Sequence, residues 1–285
     1  MKYLRKFETE AEYNAFKESE SYVTPNVVLV NGAVDYNPAP PPPLYIEAIQ
    51  DLTVQFGNTY EYSKNNNTWA SGTSSTIISA NAGEKVYFRA SGLTASMSSG
   101  IGTFTISTGN CNVGGNIMSM VYGADFDGKT EITQSYQFRG LFRYESEIVD
   151  ASKLLLPATK LASYCYSYMF ENCTSLVNAP ELPATALVNS CYSDMFYNCT
   201  SLVNAPTLPA TTLSYYCYQH MFYGCSNLQY IKAMFTTTPG TNYTKGWVSG
   251  VSPTGTFVKN SAATWADTFD ANAIPDGWTV ETADK

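Results

Sequence analysis

The chain has 285 residues, which is enough for two or three domains. Lys and Arg number 16 against 24 Asp and Glu, and the net charge of −8 argues against binding to nucleic acid or to an anionic membrane. With 44% hydrophobic and 14% charged residues, the chain can build a core and is not expected to be disordered. The single histidine, His220, excludes any site that needs two imidazoles from one chain.

The first 37 residues predict a small helix–hairpin module. Thr9 and Glu12 have the spacing of a capping box, which predicts a short helix over residues 10–18. Residues 26–30 and 33–36 predict a hairpin, because the intervening Asn-Gly suits a type I′ turn. The basic N-terminus runs into acidic residues, so we expect no signal peptide in this sequence, and no segment is long enough for membrane insertion.

The proline run over residues 38–43 predicts a stiff polyproline linker, with a ligand for a proline-binding groove as the alternative. Short apolar segments separated by turn residues then predict an immunoglobulin-like β-sandwich over residues 44–137, with Trp69 and Phe88 in its core. The predicted strands are 44–49, 52–57, 59–63, 75–79, 85–90, 101–107 and 116–121.

An internal repeat follows the sandwich. Residues 156–181, 182–207 and 208–233 are three ungapped units of 26 residues, and the first two agree at 19 positions. Leu161, Cys165 and Met169 are four residues apart, which predicts one face of a short helix, and prolines 180 and 183 then favour an extended segment. Because one unit cannot bury its apolar side chains alone, we expect the units to stack. The predicted repeat core is Leu161, Cys165, Met169, Phe170, Cys173, Leu176, Cys191, Met195, Phe196, Cys199, Cys217, Met221, Phe222 and Cys225.

The predicted fold is therefore multidomain and mainly β with short helices, a β-sandwich followed by a short capped solenoid of α/β repeats. The solenoid spans residues 138–233, and Phe142, Ile148 and Leu154 indicate a degenerate first unit. Residues 234–285, which contain Trp247 and three further bulky apolar segments, predict a β-rich C-terminal cap.

The repeat resembles the leucine-rich repeats of BspA-like bacterial surface proteins. The resemblance lies in Met-Phe-x-x-Cys-x-Ser-Leu followed by Leu-Pro, found at residues 169–183 and 195–209 and in a variant form at 221–228. It implies adhesion or binding to proteins and glycans at a surface and no catalysis. It carries over no binding residues.

Six of the seven cysteines form two columns in the repeat, spaced C-x7-C, and no C-x2-C occurs. Stacked equivalent residues lie about 5 Å apart, near disulfide range, yet three cysteines per column cannot all pair. We interpret them as free, buried thiols, with a redox or zinc role as the alternative. His220 follows Cys217 by three residues, but its slot holds Tyr168 and Asp194 in the other units, which predicts a solvated surface histidine rather than a Cys–His pair.

Residues 125–128 read Asp-Phe-Asp-Gly, and they predict a turn rather than a calcium loop, because Lys129 occupies the next ligand slot. No motif combines a nucleophile, a base and an orienting group, so we expect no enzyme, no metal and no cofactor.

The repeat has five charged side chains and ten tyrosines in residues 156–233. Tyr166, Tyr192 and Tyr218 recur in every unit and are expected to pack inside it. Tyrosines in variable slots suit binding, because a rigid amphipathic ring gives contact area at low entropic cost, although packing beneath neighbouring loops is the alternative. The candidate binding residues are Tyr164, Tyr168, Tyr197, Tyr215, Tyr216, Tyr223 and Tyr230.

We therefore expect a non-enzymatic protein that binds a protein or glycan at a cell surface or outside the cell. The alternative is a structural or receptor-binding component of a phage tail, in which residues 1–37 dock to a partner protein. The absence of a signal peptide from this sequence favours the alternative, and the repeat favours the first.

Overall fold

The structure is a computed structural model that describes residues 5–7, 27–30, 33–36 and 40–283. The chain divides into two compact units, Met1–Pro41 and Pro42–Lys285. The described part is mainly β. Its fifteen strands form four sheets, and it has one short α-helix. A mainly β fold is what the sequence predicts.

The first unit contains a three-stranded sheet. Strand β1 (Arg5–Phe7) pairs in parallel with β2 (Val27–Val30), and β2 pairs antiparallel with β3 (Ala33–Tyr36). The register places Val30 opposite Ala33, so two residues connect β2 to β3, as the Asn-Gly pair predicts. The predicted helix over residues 10–18 and the first two prolyl-linker residues, 38–39, lie outside the described residues.

Two sheets begin the second unit. Their strands are β4 (Tyr45–Ala48), β5 (Leu52–Phe56), β6 (Tyr60–Ser63), β7 (Ala70–Gly72), β8 (Ile78–Ala80), β9 (Lys85–Arg89), β10 (Phe104–Ser107), β11 (Cys111–Asn116) and β12 (Ile148–Leu155). The six-stranded sheet has the order β12-β11-β4-β9-β6-β7, and the three-stranded sheet has the order β10-β5-β8. Phe88 of β9 contacts Phe104 of β10 with ring centroids 4.9 Å apart, so the two sheets share an aromatic core.

The strand predicted over residues 75–79 overlaps β8 only at residues 78–79, and a second predicted strand is wrong. The strand expected over residues 116–121 lies earlier, as β11, and a short helix α1 (Ser119–Tyr122) follows it. Glycines disfavour strands in general, but here a Cβ at Gly114 would overlap the ring of Tyr45. A Cβ at Gly115, which has φ +80°, would overlap the carbonyl of Pro43, so the strand needs both glycines.

Trp69 is also misplaced by the sequence prediction. Phe88 is fully buried as expected, but Trp69 is only half-buried. The guanidinium of Arg89 lies 4.0 Å from the Trp69 ring centroid, so the indole packs under a cation at the edge of the sheet rather than in the core. The predicted turn at residues 125–128 is present, with Gly128 at φ +67°.

The three repeat units stack on one another through their backbones. The N–H of Tyr166 donates to the carbonyl of Cys191 at 3.0 Å, and that of Tyr192 donates to Cys217 at 3.1 Å, a step of one unit each time. The residues that alternate with these donors form backbone hydrogen bonds within their own segment, as when Met169 donates to the carbonyl of Tyr166. The segment is therefore a ribbon of consecutive turns whose alternate residues bond sideways to the next unit.

The predicted helix in each unit is wrong, and these turns replace it. Every fourth residue of a segment has a positive φ, as at Tyr164 (+57°), Tyr168 (+59°) and Asn172 (+60°), which no α-helix tolerates. A turn period of four places the same residues on the buried side as a helical period of 3.6 over two turns. All fourteen predicted core residues are accordingly buried, although the backbone conformation differs from the expected one.

Aromatic columns run through the core of this stack. Phe142, Phe170, Phe196 and Phe222 follow one another with centroids 5.4, 5.7 and 5.8 Å apart. Tyr166, Tyr192 and Tyr218 form a second fully buried column at 5.7 and 6.0 Å. Each ring is covered by its equivalents above and below, so a unit is stable only with neighbours on both sides.

The predicted extended segment of each unit is short. Isolated parallel bridges join these segments from unit to unit, in the series Asp150–Asn178–Asn204–Tyr230, and a further parallel bridge joins Leu208 to Ala233. The series continues into a parallel sheet of β13 (Tyr230–Ala233), β14 (Thr256–Asn260) and β15 (Thr279–Ala283).

Stacking continues beyond the three units at both ends. Before them, Phe138 donates a backbone hydrogen bond to the carbonyl of Cys165 and stacks on Tyr166. After them, Phe222 donates to the carbonyl of Trp247, and Gly246 and Gly250 take the positive-φ positions. The segment predicted as a C-terminal cap thus begins with one more stacked turn segment, in which Trp247 ends the phenylalanine column.

Candidate binding face

The turn segments carry most of the candidate binding residues. We call turn face the group formed by Arg139, Arg143, Tyr164, Tyr168, Glu171, Asp194, Tyr197, Tyr215, Tyr216, His220 and Tyr223. Tyr230, the seventh predicted tyrosine, lies apart from this group in β13. The stacking of equivalent turns brings the other six predicted tyrosines onto neighbouring units.

Exposure differs among these tyrosines. Tyr215 and Tyr223 are exposed, at 50% and 38% of their full surface. Tyr164, Tyr168, Tyr197, Tyr216 and Tyr230 are half-buried. The variability of a slot from unit to unit therefore does not by itself identify an exposed ring.

Two tyrosine pairs stack face to face across units. Tyr136 and Tyr164 have centroids 4.8 Å apart and ring planes 10° apart, and Tyr197 and Tyr223 have centroids 4.8 Å apart and planes 3° apart. Each ring covers one face of its partner. These pairs consequently have fewer open ring faces than single tyrosines would.

Tyr168 is held by two arginines from the preceding turn segment. The guanidinium carbons of Arg139 and Arg143 lie 4.6 and 5.1 Å from its ring centroid. Arg143 also forms an ion pair with Glu171. The arginines precede the three repeat units, so the repeat alignment could not associate them with Tyr168.

The slot shared by Asp194 and His220 is not the solvated surface that the sequence predicts. Asp194 is buried, and its Oδ1 lies 3.3 Å from Nδ1 of the half-buried His220. Ser193 Oγ donates to the other carboxylate oxygen at 2.5 Å. Burial raises the pKa of Asp194, while the bonds from Ser193 and His220 oppose that shift. Stacking one unit on the next creates this pair, and no local pattern reveals it.

The Ser193–Asp194–His220 group is not arranged as a catalytic triad. Ser193 donates to the carboxylate and not to the imidazole, so the histidine does not activate that hydroxyl. Cys217 offers no nucleophile either, because burial raises the pKa of its thiol to about 12. The geometry favours a structural polar contact between units.

All seven cysteines are free and buried. In the second column each thiol donates to the carbonyl of a phenylalanine in the preceding unit, at 3.0 Å from Cys173 to Phe142 and 3.1 Å from Cys199 to Phe170. Desolvation raises the pKa of Cys225 to about 12, and that of Cys199 is raised as well. These thiols therefore stay protonated and serve as donors as well as small apolar groups.

Metal binding has no cluster to support it in the part of the chain that the structure describes. No group of three His, Cys, Asp or Glu side chains there is placed to hold a metal ion. Nor do the described residues include a helix with the length and hydrophobicity to cross a membrane.

Comparison with known proteins adds no relative. The chain matches no protein-family model, no curated protein and no solved structure among those compared.

Proposed function

We propose that this chain is a non-enzymatic binding protein whose turn face recognises a partner at a cell surface or outside the cell. The observation that carries the proposal is the turn face itself, where tyrosines of successive units lie side by side, as Tyr197 and Tyr223 do. Tyrosine-rich surfaces bind well because each ring buries much area while losing little conformational entropy.

We further propose that the stack is a leucine-rich-repeat solenoid of the BspA-like kind. Support comes from the 26-residue step, the parallel bridges from Asp150 through Asn178 to Asn204, and the buried Leu176 and Leu202 in equivalent positions. A solenoid exposes one continuous surface along its length, which suits recognition of an extended partner.

The two sheets before the stack are proposed to form a β-sandwich. The contacts between Phe88 and Phe104 and between Phe56 and Tyr60 join residues of the two sheets, as a sandwich core requires. The sandwich would cover the N-terminal end of the solenoid, since Phe104 stacks on Phe142 with centroids 5.3 Å apart.

The stacking of the tyrosine pairs favours a protein partner over a neutral glycan. Sugar rings stack on open aromatic faces, whereas Tyr197 and Tyr223 cover each other. Ring edges and hydroxyls instead suit the backbone and side-chain groups of a protein surface.

The experiment uses the labelled full chain against a glycan array and against an extract of cell-surface proteins. We expect capture by protein components and a loss of at least tenfold in the variant Tyr215→Ala/Tyr223→Ala. The control Ile77→Ala removes a side chain that is 66% exposed and outside the turn face, and it should bind as the wild type does. Equal binding by both variants contradicts the role of the turn face, and capture by the array alone contradicts a protein partner.

The second candidate is a structural component of a phage tail. The separate unit Met1–Pro41 favours it, because a small independent module is suited to docking on a larger assembly. Detection of the chain in purified virions, with neighbouring genes for tail proteins, would support this candidate. Its presence on intact cells and absence from virions would exclude it.

A further inference from the structure

A cleft lies where the sheet-forming residues meet the first turn segment. It has a volume of about 360 Å³ and is lined by residues 98–105 on one side and 139–145 on the other. Pockets of roughly 300 Å³ or more, located where two structural parts meet, are the usual size and place of small-ligand sites. None of the seven predicted tyrosines lines this cleft, so it is a separate feature from the tyrosine pairs.

Arg139 supplies an uncompensated positive charge to the cleft. The ion pairs found within residues 40–283 leave it without a carboxylate partner. One guanidinium nitrogen donates to the carbonyl of Ser98 at 2.6 Å, and the ring of Tyr168 lies 4.6 Å away. The group is thus held in place while other N–H donors remain for a ligand, in the planar fork that matches a carboxylate.

Arg143 also lines the cleft, but it adds no unpaired charge. Its guanidinium is paired with Glu171 and covers one side of the Tyr144 ring at 4.6 Å. Tyr144 is 58% exposed, so much of the ring remains open to a ligand. An open aromatic ring beside a fixed cation suits a ligand that has both an apolar ring face and a negative charge.

The remaining lining groups are hydrogen-bonding. Ser98, Ser99 and Thr105 are exposed hydroxyl residues at the rim. Glu145 is buried beneath them, with one oxygen accepting from the N–H of Ile106 at 2.7 Å. Burial raises the pKa of Glu145 to about 7, so near neutral pH its carboxyl is partly protonated and able to donate as well as accept.

We propose that this cleft binds a carboxylated sugar, with the ligand carboxylate on Arg139, its ring against Tyr144 and its hydroxyls on the serine and threonine rim. The net charge of −8 repels densely charged polyanions, so a sugar with a single carboxylate fits better than a highly sulfated chain. The inference goes beyond the proposed function, because it concerns a small ligand and a cleft that shares only Arg139 and Arg143 with the turn face.

The test measures binding of glucuronic acid and of glucose to the full chain by calorimetry or ligand-observed NMR. We expect glucuronic acid to bind at least tenfold more tightly than glucose, and the variant Arg139→Gln to abolish that preference. Tyr144→Ala should weaken binding of glucuronic acid several-fold. Lys129→Gln, which removes an exposed cation outside the cleft, is the control and should change nothing.

Three outcomes would overturn the proposal. They are no binding of glucuronic acid at about 10 mM, equal binding of the two sugars, and unchanged binding in a folded Arg139→Gln variant. If Arg139→Gln fails to fold because the bond to Ser98 is lost, Tyr144→Ala decides, and unchanged binding in it contradicts the proposal. The Tyr215→Ala/Tyr223→Ala variant should bind the sugar normally, so failure here is distinct from failure of the turn face.

Discussion

The thiol of Cys199 donates to the carbonyl oxygen of Phe170, 29 residues earlier, at 3.1 Å. The same carbonyl accepts the N–H of Cys173 within its own turn, also at 3.1 Å. One carbonyl oxygen thus accepts two hydrogen bonds, one that closes its own turn and one from the next unit. The same arrangement is found between Cys225 and Phe196. The cysteine column therefore fastens each unit to the preceding one.

Replacing Cys199 tests this role. Cys199→Ala leaves a small cavity and removes a donor, and we expect it to destabilise the protein by about 1–3 kcal/mol. Cys199→Ser should be tolerated better than Cys191→Ser, because a hydroxyl at position 199 can donate to Phe170, whereas the described residues provide no such acceptor for the Cys191 thiol. Urea unfolding of these three variants measures the difference. Equal losses for the two serine variants would argue that the thiol hydrogen bond adds nothing.

The positive-φ positions predict a second effect. Gly224 has φ +73°, and an added Cβ would lie 3.0 Å from Oδ1 of Asn198. Gly224→Ala should therefore lower the free energy of unfolding by about 1–2 kcal/mol. Gly240 has open space around it and an ordinary φ, so Gly240→Ala is the matched control and should be close to neutral. A neutral Gly224→Ala would show that the turn is less tightly constrained than the structure indicates.

Glu145 predicts a dependence of stability on pH. Its carboxyl has a pKa of about 7 in the folded state against 4.5 for an ordinary glutamate, because burial disfavours the charged form. The folded state consequently holds a proton that the unfolded state releases, and stability falls as pH rises from about 4.5 to 7. The loss should be on the order of 1–3 kcal/mol.

Thermal or denaturant unfolding across that pH range checks the prediction. Glu145→Gln removes the titrating group and keeps an oxygen for the N–H of Ile106, so it should lose this part of the pH dependence. Glu181→Gln changes an exposed carboxylate and should retain it. An unchanged pH profile in Glu145→Gln would mean that the carboxyl is not protonated in the folded state.

Trp247 predicts how strongly the C-terminal end of the stack is held. Its indole ends the phenylalanine column next to Phe222, and its N–H donates to the carbonyl of Ala273 at 2.9 Å. Trp247→Ala should destabilise the protein by about 3–5 kcal/mol, and Trp247→Phe should recover most of the packing while losing the hydrogen bond. If chemical unfolding shows a loss below about 1 kcal/mol for Trp247→Ala, the stack does not depend on this residue.

The sequence predicts burial in the repeat better than it predicts backbone conformation. Near-identity between units identifies the buried columns directly, so residues such as Cys173 and Phe196 are placed correctly in the core. The helix prediction fails because an α-helix, with a period of 3.6 residues, and these turns, with a period of four, bury the same residues over two turns. The hydrogen bonds that distinguish the two conformations join residues one unit apart, so no local pattern indicates them. One position of the repeat does indicate a positive φ in the sequence, because it holds only residue types that tolerate this conformation: Asn172, Asn198 and Gly224.

The candidate sites depend on contacts that no local pattern contains. Asp194 meets His220 only because units stack in register, and a variable slot conceals that contact. Arg139 and Tyr144 precede the recognisable repeat, and their cleft forms only against residues 98–105. The number and order of the tyrosines can be deduced from the sequence, whereas the pairing of Tyr197 with Tyr223 requires the structure.

Hydrogen–deuterium exchange of the full chain, with and without the captured surface protein, shows which segments contact the partner. We predict that binding slows exchange in the turn segments 164–172, 190–198 and 216–224 and leaves β5 and β8 unchanged. Slower exchange confined to β1, β2 and β3, with no change in the turn segments, would contradict recognition by the turn face.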